Sequence, residues 1–230
     1  MTPIPFTALQ ERFDRSSLQL LLTEAGPGLR FQQCVFDAED LEGLDLGRAE
    51  FVGCSLAGTG WRRARLAGTR WRGCRAGGAD FELCDLTDAQ FEACDLSNTQ
   101  WRRARLSSAG FSDVKLSGAC FSEAVTLGMV LKQSVAVNAD LRGLSFRKQV
   151  LDTLNLEGAE LSGCDFTDAV LLECNLANAM LKNARFTCAD LRRARLGGVQ
   201  VGDLLQHFKG STMSADQAAA IVAALGVQVL

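Results

Sequence analysis

The sequence predicts an all-β solenoid built of four-sided coils of 20 residues, and two spacings within residues 79–101 carry the prediction. A large apolar residue recurs every five positions, and a small residue stands two positions before each one. The apolar positions are Phe81, Leu86, Phe91, Leu96 and Trp101. Five residues advance about 500° round a helix and alternate faces in a strand, so neither element buries them together. A chain that turns a corner every five residues does bury them, and four corners close one coil.

Residues 1–28 precede this frame, and we interpret them as an N-terminal cap over the edge of the first coil. We expect a short helix over residues 7–14, with Thr7 as its N-cap, and an extended segment at residues 17–22. Gly26-Pro27-Gly28 marks the junction with the coils. The alternative is a tail that docks on a partner.

The repeat frame occupies residues 29–202, and its central positions run from Phe31 to Val201 in steps of five. These positions make 35 units, or nearly nine coils. Residues 20 apart should stack on one face as buried aromatic columns. One such column begins Phe31, Phe51, Trp71, Phe91 and Phe111. The pattern is weakest over residues 124–137, where we expect a local bulge or a distorted corner.

Nine cysteines raise the question of a metal site or disulfides. Seven of them occupy the small-residue position of the repeat, where free cysteine packs well as a small hydrophobe. These seven are Cys34, Cys54, Cys74, Cys84, Cys94, Cys164 and Cys174. The odd count and the lack of a CxxC motif disfavour zinc sites and a disulfide framework. Cys120 and Cys188 fall on outward positions and are expected to be the reactive thiols.

The sequence does not indicate an enzyme. His207 is the only histidine, it lies outside the repeat frame, and the chain has no Walker A, GxGxxG or HExxH motif. We therefore assign no catalytic, cofactor-binding or metal-binding residues, and we expect no cofactor. The chain has no apolar run near 18 residues and no signal-peptide pattern, so a cytoplasmic location is predicted.

Charge is arranged in bands of alternating sign, each about one coil long, within a chain of net charge −3. Over residues 37–105 the bands favour exposed ion-pair ladders, such as the column Asp45, Arg65, Asp85 and Arg105. A second acidic band is a candidate surface for a basic partner, or else it forms a further ladder. This acidic band consists of Asp152, Glu157, Glu160, Asp165, Asp168 and Glu173.

Residues 203–230 depart from the repeat and are predicted to form a helical dimerisation segment. Ser214 and Gln217 form a capping box, and apolar residues follow at helical spacing in a helix of about eleven residues, with Gly226 as its C′ residue. Residues 203–208 are expected to form an intervening turn. The apolar stripe must cover the last coil or pair with its twin in a two-fold dimer. The candidate dimer residues are Met213, Ala218, Ile221, Val222, Leu225, Val227 and Val229.

The repeat resembles the pentapeptide repeat family, whose pattern is A(D/N)LXX. The matching triplets include Ala79-Asp80-Phe81, Cys84-Asp85-Leu86, Ala139-Asp140-Leu141 and Ala189-Asp190-Leu191. The resemblance implies a right-handed quadrilateral β-helix over residues 29–201.

The chain's end is similar to that of Qnr-type, MfpA-type and albicidin-resistance members, through Asp216-Gln217-Ala218 and residues 223–229. The unbroken frame is closer to MfpA-like members. This resemblance implies a tail-to-tail homodimer through residues 213–230 that mimics DNA in shape, binds DNA gyrase or topoisomerase IV and protects it from a quinolone or natural-product poison. No direct nucleic-acid contact, membrane or small-molecule substrate is implied. The alternative is a generic scaffold that binds an unrelated protein.

Overall fold

A computed structural model of the protein describes residues 6–24, 28–196, 201–224 and 226–229. The chain divides into two compact units, residues 1–135 and 136–230, and each of them is a parallel β-solenoid. In unit 1 the elements are β1 (Thr7–Leu9), α1 (Arg15–Glu24), β2 (Arg30–Gln32), β3 (Glu50–Val52), β4 (Arg70–Arg72), β5 (Gln90–Glu92), β6 (Gly110–Ser112) and β7 (Val130–Lys132). In unit 2 they are β8 (Val150–Asp152), β9 (Val170–Leu176), β10 (Asp190–Leu196), α2 (Val201–His207) and α3 (Ala215–Ala223).

The 20-residue coil is confirmed by the strand register. In unit 1, strands β1 to β7 form one parallel sheet, and from β2 onwards each residue pairs with the one 20 positions later, as Phe31 does with Phe51. Isolated parallel bridges follow the same spacing on the other faces, for example between Gly60 and Asp80. A parallel sheet whose neighbours are one coil apart buries the inward residues of all four faces in a single core.

The corners of the coil are set by backbone conformation. The second residue after each central position has a positive φ through most of the array, for example +73° at Gly43 and +58° at Asn98. Glycine and asparagine adopt this left-handed conformation at little cost. The predicted corner every five residues is therefore confirmed.

Stacked aromatic side chains fill the core of unit 1. In the column that starts at Phe31, the ring centroids of Phe51 and Trp71 lie 4.1 Å apart, and those of Trp71 and Phe91 lie 5.5 Å apart. A second column packs edge-on against it, since Trp61 and Trp71 meet at 87°. All of these rings are buried, as the 20-residue spacing predicts.

Each tryptophan has a threonine two positions before it, and the two side chains form a buried hydrogen bond. The indole Nε1–H of Trp101 donates to Thr99 Oγ1 at 2.7 Å, and the Thr99 hydroxyl donates to the Leu96 carbonyl at 2.6 Å. The same arrangement occurs at the other two tryptophans, 61 and 71. Threonine at the small position thus satisfies the one polar group that tryptophan brings into the core.

Thr99→Val is expected to lower the free energy of unfolding by about 1–3 kcal/mol, because it leaves the Trp101 indole N–H buried without an acceptor. Thr99→Ser keeps the hydroxyl and is the matched control, with a smaller loss. Urea denaturation followed by circular dichroism measures both. Equal losses for the two variants would show that the hydrogen bond does not matter.

The N-terminal elements differ from the prediction, because the strand precedes the helix. Residues 7–14 contain strand β1, which pairs in parallel with β2, and residues 17–22 lie within α1. Ala8, Phe13 and Leu18 are buried, five residues apart, and the Phe13 ring stacks on Phe36 at 5.4 Å. Stacking on the first coil therefore outweighs the local helical pattern of residues 7–14.

Helix α1 begins after Asp14, which forms a reciprocal cap with Ser17. The Ser17 backbone N–H donates to Asp14 Oδ1 at 2.7 Å, and the Asp14 N–H donates to Ser17 Oγ at 3.0 Å. Hydrogen bonds from the Ser17 backbone and hydroxyl lower the pKa of Asp14. Arg15 then donates to the carbonyl oxygens of Asp40 and Glu42, both at 2.9 Å. These bonds fasten the helix to the first coils.

The irregular stretch at residues 124–137 differs in its side chains and keeps the backbone of the repeat. Within unit 1 the pairings of Arg105 with Val125 and of Gly110 with Val130 retain the 20-residue spacing. Met129 is buried at the small-residue position. Neither the expected bulge nor a distorted corner is found in the pairing of this stretch with the preceding coil, and Gly128 and Gln133 keep the positive φ of the corner, at +72° and +47°. Register shifts occur instead between β9 and β10, from Asp190 to Arg195.

Unit 2 has an aromatic column of its own, formed by Phe146, Phe166 and Phe186. Phe208 extends this column, with its ring centroid 4.6 Å from that of Phe186. The Phe186 backbone N–H donates to the His207 carbonyl at 2.7 Å, where the carbonyl of a further coil would otherwise be the acceptor. The predicted turn at residues 203–208 is therefore wrong, because α2 and Phe208 take the place of a further coil.

The predicted capping box of α3 is confirmed. The Gln217 N–H donates to Ser214 Oγ at 3.2 Å, and the Ser214 N–H donates to Gln217 Oε1 at 2.7 Å. The helix has nine residues rather than about eleven, and its C-cap is Ala224. Gly226, with φ +82°, consequently lies two residues past the C-cap and not at C′.

Candidate protein-interaction surfaces

The cysteines lie where the repeat predicts. Seven are buried, while Cys120 is half-buried and Cys188 exposed. The Sγ–H of Cys54 donates to the Phe31 carbonyl at 3.3 Å, and that of Cys164 donates to the Leu141 carbonyl at 3.1 Å. Each of these bonds reaches back 23 residues to the preceding coil, so the thiols are structural. Burial raises the pKa of Cys164 to about 12.

We expect a thiol-specific reagent to modify Cys188 first and Cys120 more slowly, and to leave the other seven thiols intact in the folded protein. Only the thiolate reacts, and a pKa near 12 at Cys84 and Cys164 instead of 9.0 cuts its fraction at pH 8 about 1000-fold. Raising the pH to 9 should still spare these two. Mass spectrometry counts the adducts, and all nine should react in guanidinium. More than two adducts on the folded protein at pH 8 would contradict this placement.

No catalytic constellation is assembled around the single histidine, within the part of the chain that the structure describes. His207 ends α2 half-buried, and its carbonyl serves the backbone of Phe186. Among the described residues, no group of three or more His, Cys, Asp or Glu side chains could hold a metal ion. None of the described helices combines the length and apolar composition that a membrane crossing requires.

Ion pairs between neighbouring coils cover much of unit 1, as the charge bands predict. The backbones of Asp45, Arg65, Asp85 and Arg105 are bridged in sequence, and Arg65 Nη1 lies 3.6 Å from Asp45 Oδ2. Further pairs are Arg62–Glu82 at 2.8 Å, Arg63–Glu42 at 2.6 Å and Arg72–Glu92 at 3.1 Å. Since the arginines are largely exposed, each pair contributes about 0–1 kcal/mol.

The acidic band winds round the coil of unit 2 instead of forming one patch. Five residues separate successive faces, so Asp152, Glu157 and Asp165 face different directions. Three members pair with arginine: Asp165 with Arg185 at 2.8 Å, Asp168 with Arg147 at 3.7 Å and Glu173 with Arg193 at 2.8 Å. The band is therefore partly neutralised within the unit.

Glu157 and Glu160 have no ion pair among the described residues. Glu157 Oε2 accepts from Asn175 Nδ2 at 3.1 Å, Glu160 Oε1 accepts from the Ser162 N–H at 2.9 Å, and no cation lies within 4.0 Å of either among the described residues. By contrast, burial opposes ionisation of Asp165, but hydrogen bonds from Thr167 and the charge of Arg185 lower its pKa overall. Both glutamates are thus available to an external cation.

The C-terminal segment leaves its apolar side chains uncovered. Val222 is 39 % exposed, Val227 52 % and Val229 51 %. Met213 and Ile221 are half-buried and Ala218 is exposed, whereas Leu225 lies outside the described residues. No described residue of α3 is buried. An exposed apolar helix face of this kind is typical of a surface that packs against another protein surface.

Sequence comparison assigns the coils to a family. A profile for the pentapeptide repeat region matches residues 29–101, and a profile for eight-copy pentapeptide repeats matches residues 84–122, 131–168 and 159–198. The chain belongs to the pentapeptide repeat family. No curated protein sequence matches it.

Structural comparison supports the pentapeptide-repeat fold over nearly the whole chain. Full-length QnrB1, a plasmid-mediated fluoroquinolone resistance protein, is 20 % identical with a TM-score of 0.60, and the match covers 97 % of this chain and 98 % of that one. HetL, involved in heterocyst differentiation regulation in the cyanobacterium Nostoc sp. strain PCC 7120, is 18 % identical with a TM-score of 0.58, over 86 % and 94 %. A trypsin-treated QnrB1 variant is 23 % identical with a TM-score of 0.55, over 98 % of each chain. At these identities the likeness supports the fold alone.

Two contacts that anchor the C-terminal segment were missed from the sequence. Gln217 Nε2 donates to the Leu191 and Ala194 carbonyls at 2.7 and 2.6 Å, so the capping glutamine also ties α3 to β10. Phe208 follows Phe186 by 22 residues, two more than the repeat. A search for aromatic residues slightly out of frame would have found Phe208, whereas the second role of Gln217 has no sequence signal.

Proposed function

We propose that this protein is a non-enzymatic homodimer that binds DNA gyrase or topoisomerase IV in the cytoplasm and protects it from a quinolone or natural-product poison. The observation that carries the proposal is the C-terminal segment, whose helix is held on the last coil by Gln217 while its apolar face stays open. The ending resembles that of Qnr- and MfpA-type proteins, and the fold matches QnrB1 over almost all of both chains.

The open face suits a second copy of the same chain. A two-fold axis beside α3 brings the stripe of one protomer against the same stripe of its partner, so each covers the other. Met213, Ile221, Val222 and Val227 supply the apolar atoms that described residues offer to this contact. The helix position is fixed by the capping box and Gln217, which keeps the entropic cost of assembly low.

The outer surface of the coils of unit 2 binds the partner protein. Glu157 and Glu160 are the members of the acidic band that lack an ion pair among the described residues, so they suit a basic surface on the enzyme. Of the remaining members, Asp165, Asp168 and Glu173 already have ion pairs, Asp152 accepts a hydrogen bond from Thr153, and the coil turns several of them in other directions, so we expect them to contribute less to this contact. A dimer presents two such surfaces, which raises its effective affinity for the enzyme.

Surface plasmon resonance on immobilised gyrase and on topoisomerase IV tests the partner. We expect the full-length protein to bind one of them, and Glu157→Gln with Glu160→Gln to slow its association. Glu24→Gln, an exposed change in α1, is the matched control and should have no effect. No binding to either enzyme would refute the proposal.

A second candidate is a scaffold for an unrelated protein, as the match to HetL suggests, since that protein is involved in regulation and fits with nearly the same TM-score. Binding to neither topoisomerase, together with an intact dimer, would favour this function. The two candidates share the fold and differ in the partner alone.

A further inference from the structure

The last part of unit 1 breaks the charge balance of the coils. Residues 96–135 contain five cations and two acids, for a charge of +3 in a protein whose net charge is −3. The cations are Arg102, Arg103, Arg105, Lys115 and Lys132, and the acids are Asp113 and Glu123. Of the five cations only Arg103 has a carboxylate within 4.0 Å in the described structure, Glu123 at 2.7 Å.

Earlier in the same unit most arginines are paired. Between residues 30 and 75, six of the eight arginines have a carboxylate within 4.0 Å. The two that do not are Arg48 and Arg75. Within unit 1, cations without an ion pair are therefore more frequent at residues 102–132 than at residues 30–75.

Arg105 shows how the pairing ends. The column Asp45, Arg65, Asp85 and Arg105 alternates in sign, and the next position is Val125 instead of an acid. Asp85 Oδ1 is engaged by the Thr87 N–H and hydroxyl, at 3.1 and 2.7 Å. The guanidinium of Arg105 therefore has a valine on one side and an occupied carboxylate on the other.

Apolar side chains are exposed beside these cations. Val125, paired with Arg105, is 51 % exposed, and Leu127, two residues further, is 81 % exposed. From residue 31 to 120 the exposed large hydrophobics of the described chain are limited to Leu83, at 36 %. Arg102 is exposed as well. The carboxylate on the preceding coil that could pair with it, that of Glu82, is instead bound by Arg62 at 2.8 Å.

We propose that Arg102, Arg105, Val125 and Leu127, the arginine–valine patch, form a docking surface for an acidic, amphipathic segment of a partner protein. Carboxylates of the segment pair with the two arginines, and an apolar side chain covers Val125 and Leu127. A nucleic acid fits less well, because base stacking needs exposed aromatic rings and, in the described chain, Phe6 is the one large aromatic that is exposed. The patch belongs to unit 1, whereas α3 and the acidic band belong to unit 2.

Peptide display on the full-length protein tests the proposal. A library of random dodecapeptides is selected on the wild type, and we expect the enriched peptides to combine two or more Asp or Glu residues with an apolar residue. Binding of a selected peptide, measured by fluorescence anisotropy, should weaken at least tenfold with Arg102→Glu plus Arg105→Glu, and also with Leu127→Ser. Arg102→Lys plus Arg105→Lys should retain most of it.

Arg48→Glu is the matched control, since Arg48 is an exposed, unpaired arginine without an exposed large hydrophobic in contact, and it should leave binding unchanged. Circular dichroism confirms that each variant is folded. Peptides without acidic residues, or equal binding to the charge-reversed variant, would overturn the proposal. Binding of mixed-sequence single-stranded DNA that depends on Arg102 and Arg105 would also overturn it.

Discussion

Trp71→Ala is expected to lower the free energy of unfolding by about 3–5 kcal/mol, which is the usual cost of truncating a buried tryptophan. The indole is fully buried, stacks on Phe51 at 4.1 Å and on Phe91 at 5.5 Å, and meets Trp61 edge-on. Its removal opens a cavity across three coils that the stiff backbone cannot close. Circular dichroism in urea measures the change without relying on tryptophan fluorescence.

Arg72→Ala is the control for this prediction, because the adjacent side chain is exposed and loses only its ion pair with Glu92. We expect a change below about 1 kcal/mol there. A loss for Trp71→Ala no larger than that for Arg72→Ala would mean that the aromatic columns do not stabilise the solenoid.

Ile221→Asp is expected to convert the proposed homodimer to monomers. The carboxylate would stand in the middle of the apolar stripe of α3, where burial against the partner's stripe would desolvate it. We expect the dissociation constant of the dimer to rise at least about 100-fold, as for loss of an interface hot spot. Light scattering should then report 24.7 kDa for the variant and twice that mass for the wild type.

Ala223→Asp tests whether position on the helix decides the result. Residue 223 lies about 150° from the centre of the stripe at about 100° per residue, on the opposite side of α3, and the added charge is the same. This variant should remain dimeric. A dimer that persists in Ile221→Asp would place the interface elsewhere on the molecule.

The fold followed from the sequence because every coil repeats the same few local choices. A large residue points inward, a small one precedes it, and the corner takes a positive φ, so each unit independently indicates the same structure. The N-terminal elements did not follow, because residues 7–14 carry a pattern compatible with a helix. Their pairing with β2 depends on the exposed edge of the first coil, which a local pattern does not contain.

The candidate surfaces were predictable only as lists of charges and apolar positions. The acidic band is continuous in the sequence, yet the coil distributes it over several faces and pairs three members with arginines. Arg105 looked like a ladder member, and its lack of a partner depends on what Asp85 binds instead. Whether a charge is paired depends on side-chain geometry between coils, which residue spacing alone does not determine.

The supercoiling activity of DNA gyrase in the presence of a poison tests the central claim most directly. Purified full-length protein is titrated into reactions that contain a quinolone or one of several natural-product poisons, with Ile221→Asp as the comparison. We predict that the wild type restores supercoiling against at least one poison and that the monomeric variant does so less effectively. Failure to restore supercoiling against every poison class, at concentrations where the protein is dimeric, would contradict the proposed function.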